Sequence, residues 1–456
     1  MKVLIEGLGP DALALARLLA YEGDAVRLAG PGGAGDRETL AALELRELGV
    51  AVEVDADLDT DPGLADVAYL DVWTPETAPR VERLRAQGSR VSCLGDLLLE
   101  RWEGPTIGVT GTAGKTSTAH LTAEILRCAG IDVASSRGAR AGNLWPTEDL
   151  LAALGQGGTA TRVLLVELPS SHLAFMQHSP GLAAVISFWP DHLELHGGLE
   201  RYRAAKETIV RHQRPGDVVV VNADDASAGF ASATPARQVE ISLRRRVERG
   251  AFLDPGLGVV LVEAGVETAL GHIEGRSAHP ANVVAAAAIA SAAGAPASAV
   301  AEAVATAATP HWRAEPCGEL AGVPVIDDGM AATPAKTAAL LARQPGRSVV
   351  LVAGGLVDAG GGPVHSAPGE IELVDRACDE VARAARVVVV FGEAGPRLAR
   401  LLRRRGVEVA EVSDLAAAVT AAAQLAPGAG AVIFSPLFPV ALADRARFAE
   451  LVDRCG

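Results

Sequence analysis

The segment Thr110-Gly111-Thr112-Ala113-Gly114-Lys115-Thr116-Ser117 follows a strand-like run, TIGV, and leads into a helix-period stretch. Glycines let successive backbone N–H groups curl around a phosphate, and the start of a helix adds positive potential there. In such a cradle Lys115 would reach the β- and γ-phosphates of a nucleoside triphosphate, and the Thr116 hydroxyl would sit on Mg2+. Val109 stands where the commonest phosphate loop has its first glycine, so this loop is a shorter variant. Glu167 closes the apolar run RVLLVEL, and Asp191-His192 follow AAVISFWP. Taken singly these are ordinary loop residues. Beside a phosphate loop, Glu167 and His192 become candidate metal ligands, Glu167 the better one because Mg2+ prefers oxygen.

Lysine usage singles out one more residue. Of 41 basic residues only Lys2, Lys115, Lys206 and Lys336 are lysines. Arginine keeps its proton at neutral pH, whereas a buried lysine can lose it and do chemistry that arginine cannot. Lys206 lies 14 residues after His192 in the helical stretch YRAAKE, where a lysine is ordinarily just part of a solvated face.

The elements that must position these residues read as α/β, with strand-like runs alternating with helical ones. Three blocks emerge. Residues 1–103 form a Rossmann-like N-terminal domain. Residues 104–308 form a central P-loop ATPase domain with a mixed sheet, and residues 309–456 a Rossmann-like C-terminal domain. A composition break at Trp102-Glu103-Gly104-Pro105 separates the first two, and Ala359-Gly360-Gly361-Gly362 reads as a mobile loop.

Composition excludes several classes. A net charge of −15 is wrong for a nucleic-acid partner. No apolar run reaches the roughly 18–20 residues of a membrane span. The start MKVLIEGLGP reads as a buried strand and turn rather than a signal peptide. Five scattered cysteines without a C-x-x-C pair point to a reducing cytoplasm rather than a disulfide framework or a zinc ribbon.

Taken in order, GTAGKTS, AGN at 141–143, VELPSS at 166–171, PDHLELHG at 190–197 and YRAAK at 202–206 make a specific series. It continues with VVNADD at 220–225, HPANVVAA at 279–286, HWRAE at 311–315, IDD at 326–328 and FSP at 434–436. The chain resembles the Mur ligase family, the ATP-dependent amide ligases of peptidoglycan precursor synthesis, over essentially its whole length. The resemblance implies ATP and Mg2+ as cofactors, held by Gly111, Thr112, Gly114, Lys115, Thr116 and Ser117. It implies Glu167 and His192 as further metal ligands, and Lys206 as a lysine carried as a carbamate that also serves the metal. Asn282 matches an adenine contact, and Arg313 and Asp328 match the pair through which the third domain closes over ATP. Asn143 matches a residue near the sugar-linked acid, and Gly7 and Gly9 lie in the turn that would meet the nucleotide half of that substrate. The implied partners are small molecules, a UDP-sugar-peptide acid and an amino acid, and the implied state is a monomer.

The departures from the family concentrate in the substrate pockets. Ala113, Ser187 and His279 replace asparagine or histidine in the ATP site. In the third domain, Gly329-Met330-Ala331-Ala332 stands where the glutamate-adding members carry Ser-Lys-Ala-Thr. Gly354-Gly355-Leu356-Val357-Asp358 lacks a lysine, and Val440 replaces a serine. In the first domain, Asp11 follows the glycine turn, Ala29-Gly30-Pro31 lacks an expected acid, and Thr74-Pro75-Glu76 replaces Ser-Pro-Gly. Three readings follow: a glutamate-adding ligase, a ligase joining a different acid and amine, and a nucleotide-binding scaffold without activity. Retention of Lys115, Thr116, Glu167, His192 and Lys206 together argues against the scaffold.

Overall fold

The structure, a computed structural model, describes residues 1–30, 44–135, 148–155, 159–273, 278–306, 310–357, 364–366 and 368–456. Asn143, Pro31, Asp358 and residues 359–362 lie outside the described residues. The chain adopts the α/β class read from its sequence, with three sheets.

The first sheet runs Ala51–Val54, Ala25–Gly30, Lys2–Glu6, Val67–Tyr69, Arg90–Ser92, all parallel. Strand order reverses between Lys2–Glu6 and Val67–Tyr69, which opens a crevice at their carboxyl ends. Gly7 takes φ +103°, and a Cβ on Gly30 would come within 2.9 Å of the Gly7 Cα, so this close backbone approach needs glycine on both sides.

The central sheet has nine strands. In order they are Val266–Gly271, Gly258–Glu263, Gly250–Asp254, Arg237–Ser242, Val218–Asn222, Leu182–Val185, Thr106–Thr110, Val163–Glu167 and Val133–Ser135. The first two pairings are antiparallel and the rest parallel. Thr106–Thr110 is flanked by Val163–Glu167 and Leu182–Val185, so the ends of three strands meet where the phosphate loop begins. The helices Lys115–Cys128 and Pro280–Ala292 pack on each other and on this sheet. Residues 283–290 are all buried, because alanine along most of the second helix lets neighbours approach on every side.

The 102–105 break is a buried joint. The Trp102 indole N–H donates to Arg162 O (2.9 Å), and a Cβ on Gly104 would collide with the carbonyls of Thr159 and Arg162. Asp96, fully buried, accepts from Ser92 Oγ (2.9 Å), Gln177 N (2.8 Å) and His178 N (3.0 Å). The first two sheets thus share one compact unit, Met1–Trp189 with Leu195–Ala307.

The second unit comprises Ala308–Gly456 and the short segment Pro190–Glu194. Its sheet runs Glu315–Leu320, Val323–Asp327, Ala431–Leu437, Val349–Gly354, Ala385–Phe391, Glu408–Glu411, antiparallel only at the first pair. Valine-rich strands such as VVLVAG suit a sheet covered on both faces. The helix Gly395–Arg403 buries Leu398, Ala399 and Leu402 and leaves Arg400 and Arg403 exposed. Among the described residues no helix is long and apolar enough to cross a membrane, and all five cysteines are free thiols.

Candidate active site

The phosphate loop is built by the end of Thr106–Thr110 and the start of helix Lys115–Cys128. Gly114 caps that helix at φ +83°, and a Cβ there would collide with the side-chain amide oxygen of Asn282. Asn282 therefore lies directly against the loop. A Cβ on Gly111 would meet Ile186 Cγ1 at 2.8 Å and Ser187 Oγ at 2.9 Å. The Ser187 hydroxyl accepts from Ala113 N (3.0 Å) and donates to Ala113 O (3.0 Å), so two of the replaced positions brace each other. His279 Nδ1 accepts from Ala281 N (3.2 Å) and caps helix Pro280–Ala292. Thr112 Oγ1 donates to Trp189 O (3.0 Å) and lies 2.9 Å from Tyr202 Oη. Thr116 and Ser117 are buried in the first turn of their helix.

Register puts Glu167 beside the loop, because it pairs with Val109 across the two strands. The Thr116 hydroxyl donates to Glu167 Oε2 at 2.6 Å. Two hard oxygen donors this close, both buried at the sheet's edge, suit Mg2+. The residues present thus fit the ion that the sequence implies.

Lys206 lies on helix Leu199–Arg211, whose buried residues Tyr202, Ala205, Lys206, Thr208, Ile209 and Val210 follow a helical stripe. It is 1% exposed. Its Nζ donates to Thr110 Oγ1 (3.3 Å) and to Gly111 O (3.2 Å), and stands 4.9 Å from the Tyr202 ring centroid. Lys115 Nζ donates to the same Gly111 carbonyl at 2.9 Å. The two amines are therefore no further than about 6 Å apart. Two ammonium ions at that distance repel by about 3 kcal/mol at an effective dielectric constant of about 20. A phosphate group, or an anionic form of one lysine, reverses the sign.

Lys115, Thr116, Glu167, Lys206 and Asn282 thus come together in the first unit. His192, Arg313 and Asp328 belong to the second. His192 takes φ 52°, with Nδ1 3.5 Å from Glu194 Oε1 and Nε2 3.6 Å from Asp191 Oδ2. Asp328 accepts from Ser435 Oγ (2.9 Å) and Ala314 N (3.2 Å). Burial pushes its carboxyl up to about 7, against the Ser435 hydrogen bond and the charge of Arg313.

Asp327, 2% exposed, is also pushed up to about 7, first by burial and further by Asp328. A carboxyl raised on folding stabilises the fold below its unfolded value and loses that contribution as pH rises through the folded value. The second unit is thus expected to lose stability between about pH 4 and about pH 7, and Asp327→Asn to flatten part of that fall. Thermal unfolding at several pH values checks this; an equally steep fall in the variant would contradict it.

A crevice lies at the first sheet's switch point; neither Gly7 nor Gly9 is among its lining residues, although Gly7 sits beside Asp71, which is. Its walls include Glu6, Asp11 and Asp71. Glu6 accepts from Thr74 Oγ1 (2.6 Å) and Arg80 Nε (2.8 Å). Burial raises the Glu6 and Asp71 carboxyls above the usual range. Sequence reasoning found Asp11 here but missed Glu6 and Asp71. It also missed Thr110 and Tyr202 around Lys206, although the spacing of 202, 205, 206, 209 and 210 was the available signal.

Comparison with known proteins places the chain. The Mur ligase middle domain matches residues 109–253, and the Mur ligase glutamate ligase domain matches residues 312–436. The chain belongs to the Mur ligase family and is an ATP-dependent amide-forming ligase. It is 32% identical over 449 residues to a UDP-N-acetylmuramoylalanine–D-glutamate ligase of Symbiobacterium thermophilum, covering 95% of this chain and 92% of that one. It is 34% identical over 453 residues to the like-named enzyme of Frankia casuarinae, covering 96% and 89%. In fold it resembles the crystal structure of UDP-N-acetylmuramate-alanine ligase from Thermotoga maritima (TM-score 0.60, 19% identity, all of both chains). It also resembles MurF ligase from the same organism in complex with ADP (TM-score 0.60, 17% identity, 94% and 95% covered).

Proposed function

We propose that this ligase joins D-glutamate to UDP-N-acetylmuramoyl-L-alanine during peptidoglycan precursor synthesis, through an acyl phosphate, as a cytoplasmic monomer. The observation that carries the reading is the convergence of Lys115 and Lys206 on one carbonyl oxygen of the phosphate loop. Residues 1–103 receive the uridine-linked acid through Gly7 and Gly9, and Asn143 is assigned to the same substrate. Residues 104–308 hold ATP through Gly111, Thr112, Gly114, Lys115, Thr116, Ser117 and Asn282. Residues 309–456 receive the amino acid and bring Arg313 and Asp328 to the nucleotide.

The substrate carboxylate attacks the γ-phosphorus, forming a C–O–P bond as the bond to ADP breaks. Lys115 neutralises charge on the group in flight. Mg2+, when bound, supplies further charge neutralisation. Thr116, Glu167, His192 and Lys206 would hold it, Lys206 as the carbamate formed when its neutral amine bonds to the carbon of CO2 and the nitrogen releases one proton to solvent. The amine of the amino acid then attacks the acyl carbon, phosphate leaves with the C–O bond electrons, and the nitrogen gives up a proton. Water must be excluded meanwhile, because an acyl phosphate hydrolyses readily.

The third domain supports an acidic amino acid despite its lost lysine and serine. Arg445 donates from Nη1 to Met330 Sδ (2.8 Å), and from Nε (2.9 Å) and Nη2 (2.6 Å) to Val440 O. A guanidinium thus stands between the two replaced positions, where it can receive a carboxylate.

The acidic crevice of Glu6, Asp11 and Asp71 favours a second reading, in which the acid is not a pyrophosphate-linked one. A phosphate-release assay with acids and amines varied independently separates the two. Release that requires both UDP-N-acetylmuramoyl-L-alanine and D-glutamate is the expected result. Release only with a different acid and a different, less acidic amine selects the second reading, and ATP binding without release from any pair would overturn both.

A further inference from the structure

Asp191, His365 and Glu370 lie together in the second unit, all buried, at 4%, 5% and 3% exposure. One ligand atom from each falls within 4.8 Å of the other two. We infer that these three side chains form a binding site for a transition-metal ion of the Zn2+ type, distinct from the Mg2+ of ATP chemistry.

The geometry argues first. A point about 2.8 Å or less from all three ligand atoms exists, and a small contraction reaches the roughly 2.0–2.2 Å of zinc–nitrogen and zinc–oxygen bonds.

The histidine argues independently. His365 Nε2 lies 3.2 Å from the carbonyl oxygen of Ala332. A carbonyl only accepts, so Nε2 carries the proton and the lone pair of the neutral ring is on Nδ1. A metal-binding histidine is typically held in this way, its other N–H given to a carbonyl that fixes tautomer and orientation. Burial favours that neutral form. The ring is further fixed by edge-on packing against Phe438 (5.0 Å, 72°) and by Arg397 Nη2 donating to the His365 carbonyl (3.0 Å).

The donor set selects the ion. One imidazole and two carboxylates suit Zn2+ better than Mg2+ or Ca2+, which prefer all-oxygen shells. His365 and Glu370 flank the start of helix Pro368–Ala384, while Asp191 comes from the distant segment Pro190–Glu194. Glu370 Oε1 already accepts from Leu193 N at 3.4 Å. The ion would therefore pin that segment, which carries His192, to the helix.

The test titrates Zn2+ into the full-length protein without nucleotide, by calorimetry and by metal analysis after dialysis. The expected result is one zinc per chain, bound about 10-fold or more weakly in both His365→Ala and Glu370→Gln. Glu167→Gln, which alters the ATP-side oxygen donors, leaves zinc affinity unchanged. Substituting Co2+ gives visible absorption bands that disappear in His365→Ala. Glu370→Gln preserves shape, so far-UV circular dichroism of the two variants separates lost binding from lost folding. No stoichiometric zinc in the parent, or zinc that survives in both folded variants, overturns the site. Zinc lost only in Glu167→Gln would assign it to the phosphate loop instead.

Discussion

Lys206→Ala is expected to lower ligase turnover by about 100-fold or more, the scale on which a charge-stabilising group acts in a water-excluded site. The side chain is fully buried on the inward stripe of its helix and reaches the phosphate loop itself. Alanine leaves a cavity where a carbamate would stand, and bicarbonate added to the assay can occupy it as a small anion. Partial recovery in bicarbonate, with none for Lys206→Met (which fills the cavity), is the expected pattern. Phosphate release at the parental rate in Lys206→Ala would end the carbamate role. Equal recovery in Lys206→Met would mean that bicarbonate acts elsewhere.

Lys115→Ala is expected to abolish turnover while leaving the fold intact, by about 1,000-fold or more. The side chain is partly exposed and opens the helix after a glycine that no other residue can replace, so the loop keeps its path when the amine is removed. Arginine should not rescue, because a planar fork cannot replace a compact ammonium here. Steady-state phosphate release with circular dichroism checks this. Turnover within a few-fold of the parent would remove the phosphate-loop assignment, and a collapsed spectrum would show that Lys115 holds the fold rather than the substrate.

The phosphate loop was legible because its chemistry is local: glycine, lysine and threonine must be neighbours along the chain to surround one phosphate. Glu167 was legible because strand ends gather ligands, and register with Val109 puts it there. Lys206 needed the resemblance, since a lysine in a helical stretch reads as solvated until the stripe through Tyr202 and Ile209 is seen to be buried. The Glu6–Asp71 crevice was hidden because 65 residues separate its two acids, and only the pairing of their strands makes them neighbours. The grouping of Asp191 with His365 and Glu370 was hidden because a segment far back in the chain joins the second unit and brings the first of them to the other two. The place of Arg445 is not legible in the sequence, because arginine reach, not sequence position, decides which guanidinium comes to Met330 and Val440.

If the acid is anchored at the Gly7 crevice, as proposed, the joint made by Trp102, Gly104 and Asp96 sets a limit on the acid that the enzyme can use. With the first two sheets in one compact unit, the joint between them sets the span from the Gly7 crevice to Lys115. Any acid anchored at one end and reacting at the other is measured against a rigid ruler. Homologous acids shortened or lengthened by one residue should be rejected on length before charge is consulted.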